Sequence, residues 1–346
     1  MSRAKQLLDW YDTQSYQFPW RQDYNAYQVW ISEIMLQQSQ VNVVIPYYNR
    51  WMKKFPTMKD LSGATLDELL LLWQGLGYYN RVKNIFKTAQ AINHNYNGEI
   101  PNDYQSLLPL PGIGDYTASA ILAIGFNIKA IPVDGNIHRV VSRLHELSVT
   151  KNQLKIIKNY TTQYICNTNP RESVQSLMDL GREICRPKRP NCLLCPLNIK
   201  CLSYQNNTSH LYPIKIDRKP IPKYDVVVGL IKKKNKFLIS KRLKNKFLGG
   251  LWELPGGKIK KGESPRQCLE REIKEELNIA VKNYNRIGVV NHQYSHFKVS
   301  IRLYECEYES GVATALVSDE IRWITNNQKN HFAFPSATHK LFQLIT

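Results

Sequence analysis

Two acidic side chains carry the chemistry this sequence offers. Glu33 lies in VWISEIMLQQSQV, an apolar stretch with helical spacing in which Trp30 and Gln37 share its face and no basic partner does. A carboxyl group buried there without a cation favours its protonated form, which suits general acid catalysis. The plain alternative is a solvated glutamate at the edge of the buried stripe. Asp134 lies in IPVDGNIHRVVSRL, where Gly135 permits a sharp backbone path and Val140, Val141 and Leu144 form the inward face of the helix that follows. Asp134 or Asn136 can cap that helix, and a capping carboxylate that accepts backbone N–H groups is kept ionised. Cleaving a glycosidic bond needs one carboxylic acid to protonate the leaving group and one carboxylate to face the cationic sugar. Glu33 and Asp134 offer that pair.

A second constellation is the run Cys185, Cys192, Cys195 and Cys201, spaced C-x6-C-x2-C-x5-C. Four thiolates suit zinc or a [4Fe-4S] cluster. Structural zinc sites usually show two close pairs and this run has one, so the spacing leans towards the cluster. Crowding four of 7 cysteines together reads as metal ligation in a reducing compartment rather than as a disulfide framework. Arg182, Arg186, Lys188 and Arg189 flank the run and give the loop a phosphate-facing charge.

Two glycine-hinged turns complete the inventory. In LPGIGDYTASAIL, Gly112 and Gly114 form a tight turn before a helix that begins near Tyr116, an arrangement that presents backbone N–H groups to a phosphate. It is no dinucleotide fingerprint, because no strand precedes it; an ordinary helix-helix turn is the alternative. GLGYY, residues 75–79, offers Tyr78 and Tyr79 as wedges between bases or as core rings, and the sequence does not separate the two.

The elements that must position these groups change character along the chain. Helical periodicity marks Ala26 to Tyr48, Thr65 to Gly75, Arg81 to His94, Tyr116 to Gly125 and Asn136 to Leu147, so the first half reads as all-α. Residues 203–222 are polar, basic and proline-bearing, which marks a linker. Beyond it YDVVVGLI, KFLISKR, IGVV and FKVSIRLYECE read as strands and GESPRQCLEREIKEEL as a capped helix, giving an α+β or three-layer α/β/α domain. Lys and Arg number 47 against 28 Asp and Glu, a formal charge of +19 that favours a polyanionic partner. No signal peptide or run of about 18 apolar residues is present, which implies a soluble intracellular protein.

The motifs PWR at 19–21, SEIMLQQSQV, GLGYY, LPGIGDYTA, VDGNIHRVVSR and the cysteine run together resemble MutY-type adenine DNA glycosylases, within the helix-hairpin-helix glycosylase superfamily. The resemblance runs in order along the whole chain. It implies a glycosylase domain at 1–205, made of a six-helix module at about 22–133 and a [4Fe-4S] cluster module from 1–21 plus 134–205. A linker at 206–222 and a Nudix-like lesion-recognition domain at 223–346 follow. It further implies that Glu33 protonates the extruded adenine, that Asp134 stabilises or captures the sugar cation, that Tyr116 sits against the sugar and that Asn136 orders the catalytic groups. Trp20 and Arg21 would line the adenine pocket, Gln38 and Tyr78 would enter the stack near the oxidised guanine, and Ser39 would join them in binding substrate. Ser39 stands where threonine is common in the family. Related strand-cutting enzymes place a lysine nucleophile where this chain has Tyr116, so the resemblance implies a monofunctional glycosylase with little lyase activity.

Residues 257–279 match the Nudix pattern except that Asn278 replaces its last glycine, a substitution that a left-handed asparagine tolerates. Glu272, Glu275 and Glu276 share one helical face and would suit Mg2+ or Mn2+. Tyr294, Ser295 and His296 resemble the family's lesion-sensing loop, with tyrosine in place of phenylalanine. The partner implied is duplex DNA with adenine opposite 8-oxoguanine or guanine, bound by a monomer in the bacterial cytoplasm, in association with the nucleoid. Three rival functions remain: an added nucleotide diphosphohydrolase activity, a glycosylase with another base preference and a catalytically inactive lesion-binding protein. Glu33 and Asp134 together distinguish the last from an enzyme.

Overall fold

The computed structural model describes residues 2–14, 16–148, 153–214 and 220–345. Residues 215–219 of the expected linker lie outside the described residues. Contacts divide the chain into one unit of Met1–Gly63 with Asn84–Asp217 and a second of Ala64–Lys83 with Arg218–Thr346.

The first unit is helical throughout its described residues. It contains α1 (Arg3–Asp12), α2 (Ala26–Leu36), α3 (Val41–Lys54) and α4 (Met58–Ser62). The helix α5 (Leu66–Trp73) belongs to the second unit, and α6 (Asn80–Asn95) begins there. The first unit continues with α7 (Tyr104–Leu107), α8 (Asp115–Ala120), α9 (Gly135–His145), α10 (Gln153–Thr161), α11 (Pro170–Asp179) and α12 (Leu202–Gln205). Side-chain caps set many starts: Asn25 for α2, Asp103 for α7, Asp134 for α9 and Asn169 for α11. The core of this unit gathers Leu7, Val29, Ala120, Ile124, Ile137, Val140, Leu144 and Leu177.

The periodic stretch Ala26 to Tyr48 is two helices, not one. Gln38 breaks it by taking φ +57, in a turn without glycine or proline to announce it. The helix that starts at Asp115 passes at Ile121–Gly125 into a wider π-type turn.

In the second unit seven strands form one mixed sheet among the described residues. They are β1 (Lys223–Lys233), β2 (Lys236–Arg242), β3 (Trp252–Glu253), β4 (Gly256–Lys258), β5 (Ile279–Gln293), β6 (Lys298–Gly311) and β7 (Ser318–Ile324). The order is β3-β2-β1-β6-β5, with β4 paired to β1 and β7 to β2, and β1 runs parallel to β6. Alternation along β1 sends Val227 and Ile231 to one face and Val228 and Leu230 to the other. The first face packs on α13 (Pro265–Leu277) through Cys268, Leu269, Ile273 and Leu277. The opposite face packs on α14 (Ser336–Phe342) through Ala337, Leu341 and Phe342. Three layers result, α/β/α. A capping box of Ser264 and Gln267 starts α13, and Asn278 ends it at φ 53, the left-handed conformation expected of it. The stretch Ala64–Lys83, periodic like the helical half, groups with this sheet because Leu70 and Tyr79 are buried there against Gly250 and Phe334.

Candidate active site

Glu33 sits near the end of α2, whose apolar faces bury it to 7% exposure. Burial pushes its carboxyl up to about 7, and the nearby Asp134 pushes the same way. Tyr116, on the first turn of α8, donates its hydroxyl hydrogen to Glu33 Oε2, which opposes that rise. The glutamate is thus a neutral acid within reach of neutral pH, held in one orientation by a phenol.

Asp134 caps α9. Its Oδ1 accepts from the Ile137 N–H at 2.7 Å and its Oδ2 from Asn136 Nδ2 at 2.8 Å. The sequence reading expects such donors to decide its ionisation. Burial outweighs them instead and leaves the carboxyl above the ordinary aspartate range.

These groups line one cavity of about 760 Å³ together with Trp20, Arg21, Gln38, Ser39, Gly112, Gly114 and Asn136. Trp20 stacks on Phe18 with ring centroids 5.4 Å apart and meets Tyr48 edge-on. Gly112 takes φ +76 against the Asn84 side chain, where a β-carbon would come within 2.6 Å. Gly114 opens α8 with open space beside it, so the backbone turn stays accessible.

Gln175 and Asp179 are wall residues that nothing in the sequence singles out, and Arg182, expected as a phosphate-facing charge of the cysteine loop, lines the cavity with them. Arg21 makes two hydrogen bonds to Asp179, at 2.6 and 3.1 Å, with both side chains nearly buried. Gln175 accepts from Tyr11 and Tyr24 hydroxyls. Arg182 shares Asp179 and lies over the Tyr16 and Phe18 rings. A charged Asp179 opposite a pocket arginine has no local signal, because the pair is separated by 158 positions.

Arg139, buried in the cavity wall, ties the Asp134–Asn136 turn to the cysteine loop. Its guanidinium donates to Asn136 Oδ1 at 2.8 Å, to Gly181 O at 2.6 Å and to Cys185 O at 2.7 Å. Arg143 donates to Arg186 O at 2.7 Å and to Cys185 Sγ at 3.4 Å. Cys185, Cys192, Cys195 and Cys201 line a common small cavity with Arg143 and Val140. Burial first, and its three neighbouring cysteines with it, push the Cys195 thiol up to about 12.

In the second unit the two tyrosines of GLGYY part company. Tyr79 is buried, with its hydroxyl donating to Phe334 O, while Tyr78 is 44% exposed and takes φ +47. Tyr294 packs its ring among Phe247, His292 and Phe297, and Ser295 and His296 stand exposed at the tip of the turn between β5 and β6. The Nudix-type glutamates do not converge. Arg271 donates to Glu272 at 2.8 Å and to Glu275 at 3.0 Å, and it also holds Glu263. Glu276 turns to the Gly256 N–H, and burial followed by the charge of Glu253 pushes it up to about 8. Among the described residues no three His, Cys, Asp or Glu side chains stand as ligands of a single metal ion.

Residues 31–162 match the HhH-GPD superfamily of base excision DNA repair proteins, and residues 226–344 match the NUDIX domain. An adenine DNA glycosylase of Buchnera aphidicola subsp. Baizongia pistaciae is 36% identical over 305 residues, spanning 85% of this chain and 83% of that protein. The adenine DNA glycosylase of Homo sapiens is 30% identical over 397 residues, spanning 98% of this chain and 73% of its own length. Among solved structures, a thermostable thymine-DNA glycosylase matches with a TM-score of 0.54 at 26% identity, over 59% of this chain and 95% of that one. A non-covalent endonuclease III–DNA complex shares the fold with a TM-score of 0.52 at 24% identity, over 59% of this chain and 94% of its own. No helix among the described residues is long and apolar enough to cross a membrane.

Proposed function

The chain belongs to the adenine DNA glycosylase family, and from that premise we propose that it removes adenine mispaired with 8-oxoguanine, or with guanine, from duplex DNA. One observation carries the reading: Glu33 and Asp134 line a single cavity, the first a protonatable acid near neutral pH and the second oriented by Ile137 and Asn136. The extruded adenine enters between Trp20 and the Arg21–Asp179 pair. Glu33 gives its proton to N7 of the base. The glycosidic bond then breaks with its electron pair on the base, which leaves neutral. Asp134 faces the sugar cation, as an ion pair or a transient ester, until water adds. Tyr116 occupies the position from which a lysine would form a Schiff base, so strand cleavage is weak. Gly112 and Gly114 offer backbone N–H groups to a phosphate, while Gln38 and Tyr78 enter the stack. Ser295 and His296 read the N7-H and O8 edge of oxidised guanine.

The residues fit the iron-sulfur cluster that the cysteine spacing and the family suggest. Four soft thiolate donors line one small cavity, a donor set that suits such a cluster. Bound at Cys185, Cys192, Cys195 and Cys201, it would supply rigidity to a basic loop. The glutamates of α13 do not fit a divalent ion, because Arg271 already takes Glu272 and Glu275 and Glu276 faces elsewhere, so no nucleotide hydrolysis is derived from them. The proposed division of labour is catalysis and cluster in 1–205, a linker at 206–222 and lesion recognition in 223–346. Its proposed setting is the bacterial nucleoid, where a charge of +19 favours DNA, and it works as a monomer.

Single-turnover base release from duplexes with adenine opposite 8-oxoguanine, guanine or thymine tests this reading. Release is expected for the first two and not for the third, and Glu33→Gln and Asp134→Asn each slow it by roughly a thousandfold or more. Undiminished release by both variants overturns it.

A further inference from the structure

The turn that carries Tyr78 is strained and tightly held. Gly75, Gly77 and Tyr78 take φ of +96, +76 and +47, and for tyrosine that conformation persists only where the surroundings over-determine it. Here they do. Arg81 donates to Leu76 O and Gly77 O, each at 3.1 Å, beneath the Trp73 and Tyr78 rings. Gln74 Oε1 accepts from the Phe334 N–H at 2.9 Å, and the Tyr79 hydroxyl donates to Phe334 O at 3.2 Å while accepting from Gly75 N at 3.3 Å. Both backbone groups of Phe334, a residue only 1% exposed, are therefore engaged by the turn.

Phe334 also belongs to the cluster on which Tyr294 and Phe297 pack, at the base of the loop that presents Ser295 and His296. The Tyr79 hydroxyl lies near enough to act on the Tyr294 phenol, which burial first of all pushes up to about 12. An ion pair of Lys241 with Asp67, at 2.7 Å, anchors α5 to the same sheet.

We propose that Gln74 and Tyr79 are positioning residues that lock the Tyr78 turn to the backbone of Phe334, so that Tyr78 and the Tyr294–Phe297 loop engage a mismatch as one body. This rests on the reading of both elements as lesion contacts. Discrimination for oxidised guanine then depends on a buried hydrogen-bonded junction that touches no nucleotide.

The test uses the full-length protein and duplexes with a non-cleavable adenine analogue opposite 8-oxoguanine or guanine, with the ratio of the two Kd values as readout. Tyr79→Phe keeps the ring and removes the hydroxyl, and Gln74→Met removes the acceptor for Phe334. Each should lower the ratio about tenfold. Combined with Ser295→Ala and His296→Ala, Tyr79→Phe should lower it no further, since the loop's contribution is already gone. A merely structural role would weaken binding to both duplexes alike and add fully in the combined variant, which overturns the coupling. Tyr78→Ala separates the two failures. If it lowers the ratio and Tyr79→Phe does not, the junction is wrong; if Tyr78→Ala leaves the ratio unchanged, the reading of Tyr78 falls and the coupling with it.

Discussion

Gly181 lies so close to Asn136 that a β-carbon on the glycine would stand 2.6 Å from Asn136 Cβ and 3.1 Å from its Cα. The neighbour is backbone as well as side chain, so it cannot rotate away. Asn136 in turn donates to Asp134. Gly181→Ala is therefore expected to push the catalytic turn out of register, slowing single-turnover base release by roughly 10- to 100-fold and lowering stability by about 1–3 kcal/mol. Affinity for a duplex with a non-cleavable adenine should change far less. An alanine variant with unaltered chemistry would show that the turn has slack the packing does not suggest.

The acid limb of the mechanism gives a pH signature. In the proposed mechanism Glu33 works protonated, and its carboxyl sits at about 7, so base release should fall about tenfold per pH unit above that point. The Tyr116 hydroxyl donates to Glu33 and thereby favours the ionised form. Removing it must raise the pKa further, so Tyr116→Phe is expected to move the alkaline limb to higher pH while lowering the plateau. A limb that moves down, or stays in place, contradicts the assignment of Glu33 as the acid.

The two carboxyl groups that meet in one cavity were legible as candidates because each sits in a local pattern: a carboxylate in an apolar helical stripe, and an aspartate ahead of glycine at a helix start. The sheet and α13 were legible for the same reason, through alternation and a capping box. What escaped depends on groups distant in sequence. Asp179 finds Arg21 only through the fold, Arg139 looks like any surface arginine of an amphipathic helix, and nothing in QQSQ marks Gln38 as a left-handed residue. The packing of Ala64–Lys83 on the C-terminal sheet hid behind an ordinary helical period. The short strands β3 and β4 carry too few residues for an alternation to register.

Arg139 connects the cysteine loop to the catalytic turn, since one guanidinium serves Cys185 O, Gly181 O and Asn136 Oδ1. Shape and fork geometry both matter, and lysine cannot span three acceptors. Arg139→Lys should slow base release by roughly 10- to 100-fold, the range typical of lost ligand-orienting partners. Cys185→Ser should have a related effect through the other end of the link, with reduced iron content and loss of absorbance near 400 nm. If Arg139→Lys retains full chemistry, the link is ornamental to Asp134.

The last prediction concerns stability rather than rate. The folded-state carboxyl of Glu33 sits at about 7 against an ordinary 4.5, so between those values the native protein holds a proton that the unfolded chain has released. Stability contributed by this group is complete below pH 4.5, declines as pH rises and is lost above about 7. A shift of this size corresponds to about 3 kcal/mol, an upper bound for a pocket that water can enter. Glutamine cannot ionise, so Glu33→Gln should raise Tm relative to the parent at pH 8.5 and leave it nearly unchanged at pH 4.5, while strongly slowing base release at both. Paired thermal melts at the two pH values decide the matter. An equal change at both would mean that packing, not ionisation, governs the substitution, and the carboxyl would no longer qualify as a group held in its acid form at a cost to the fold.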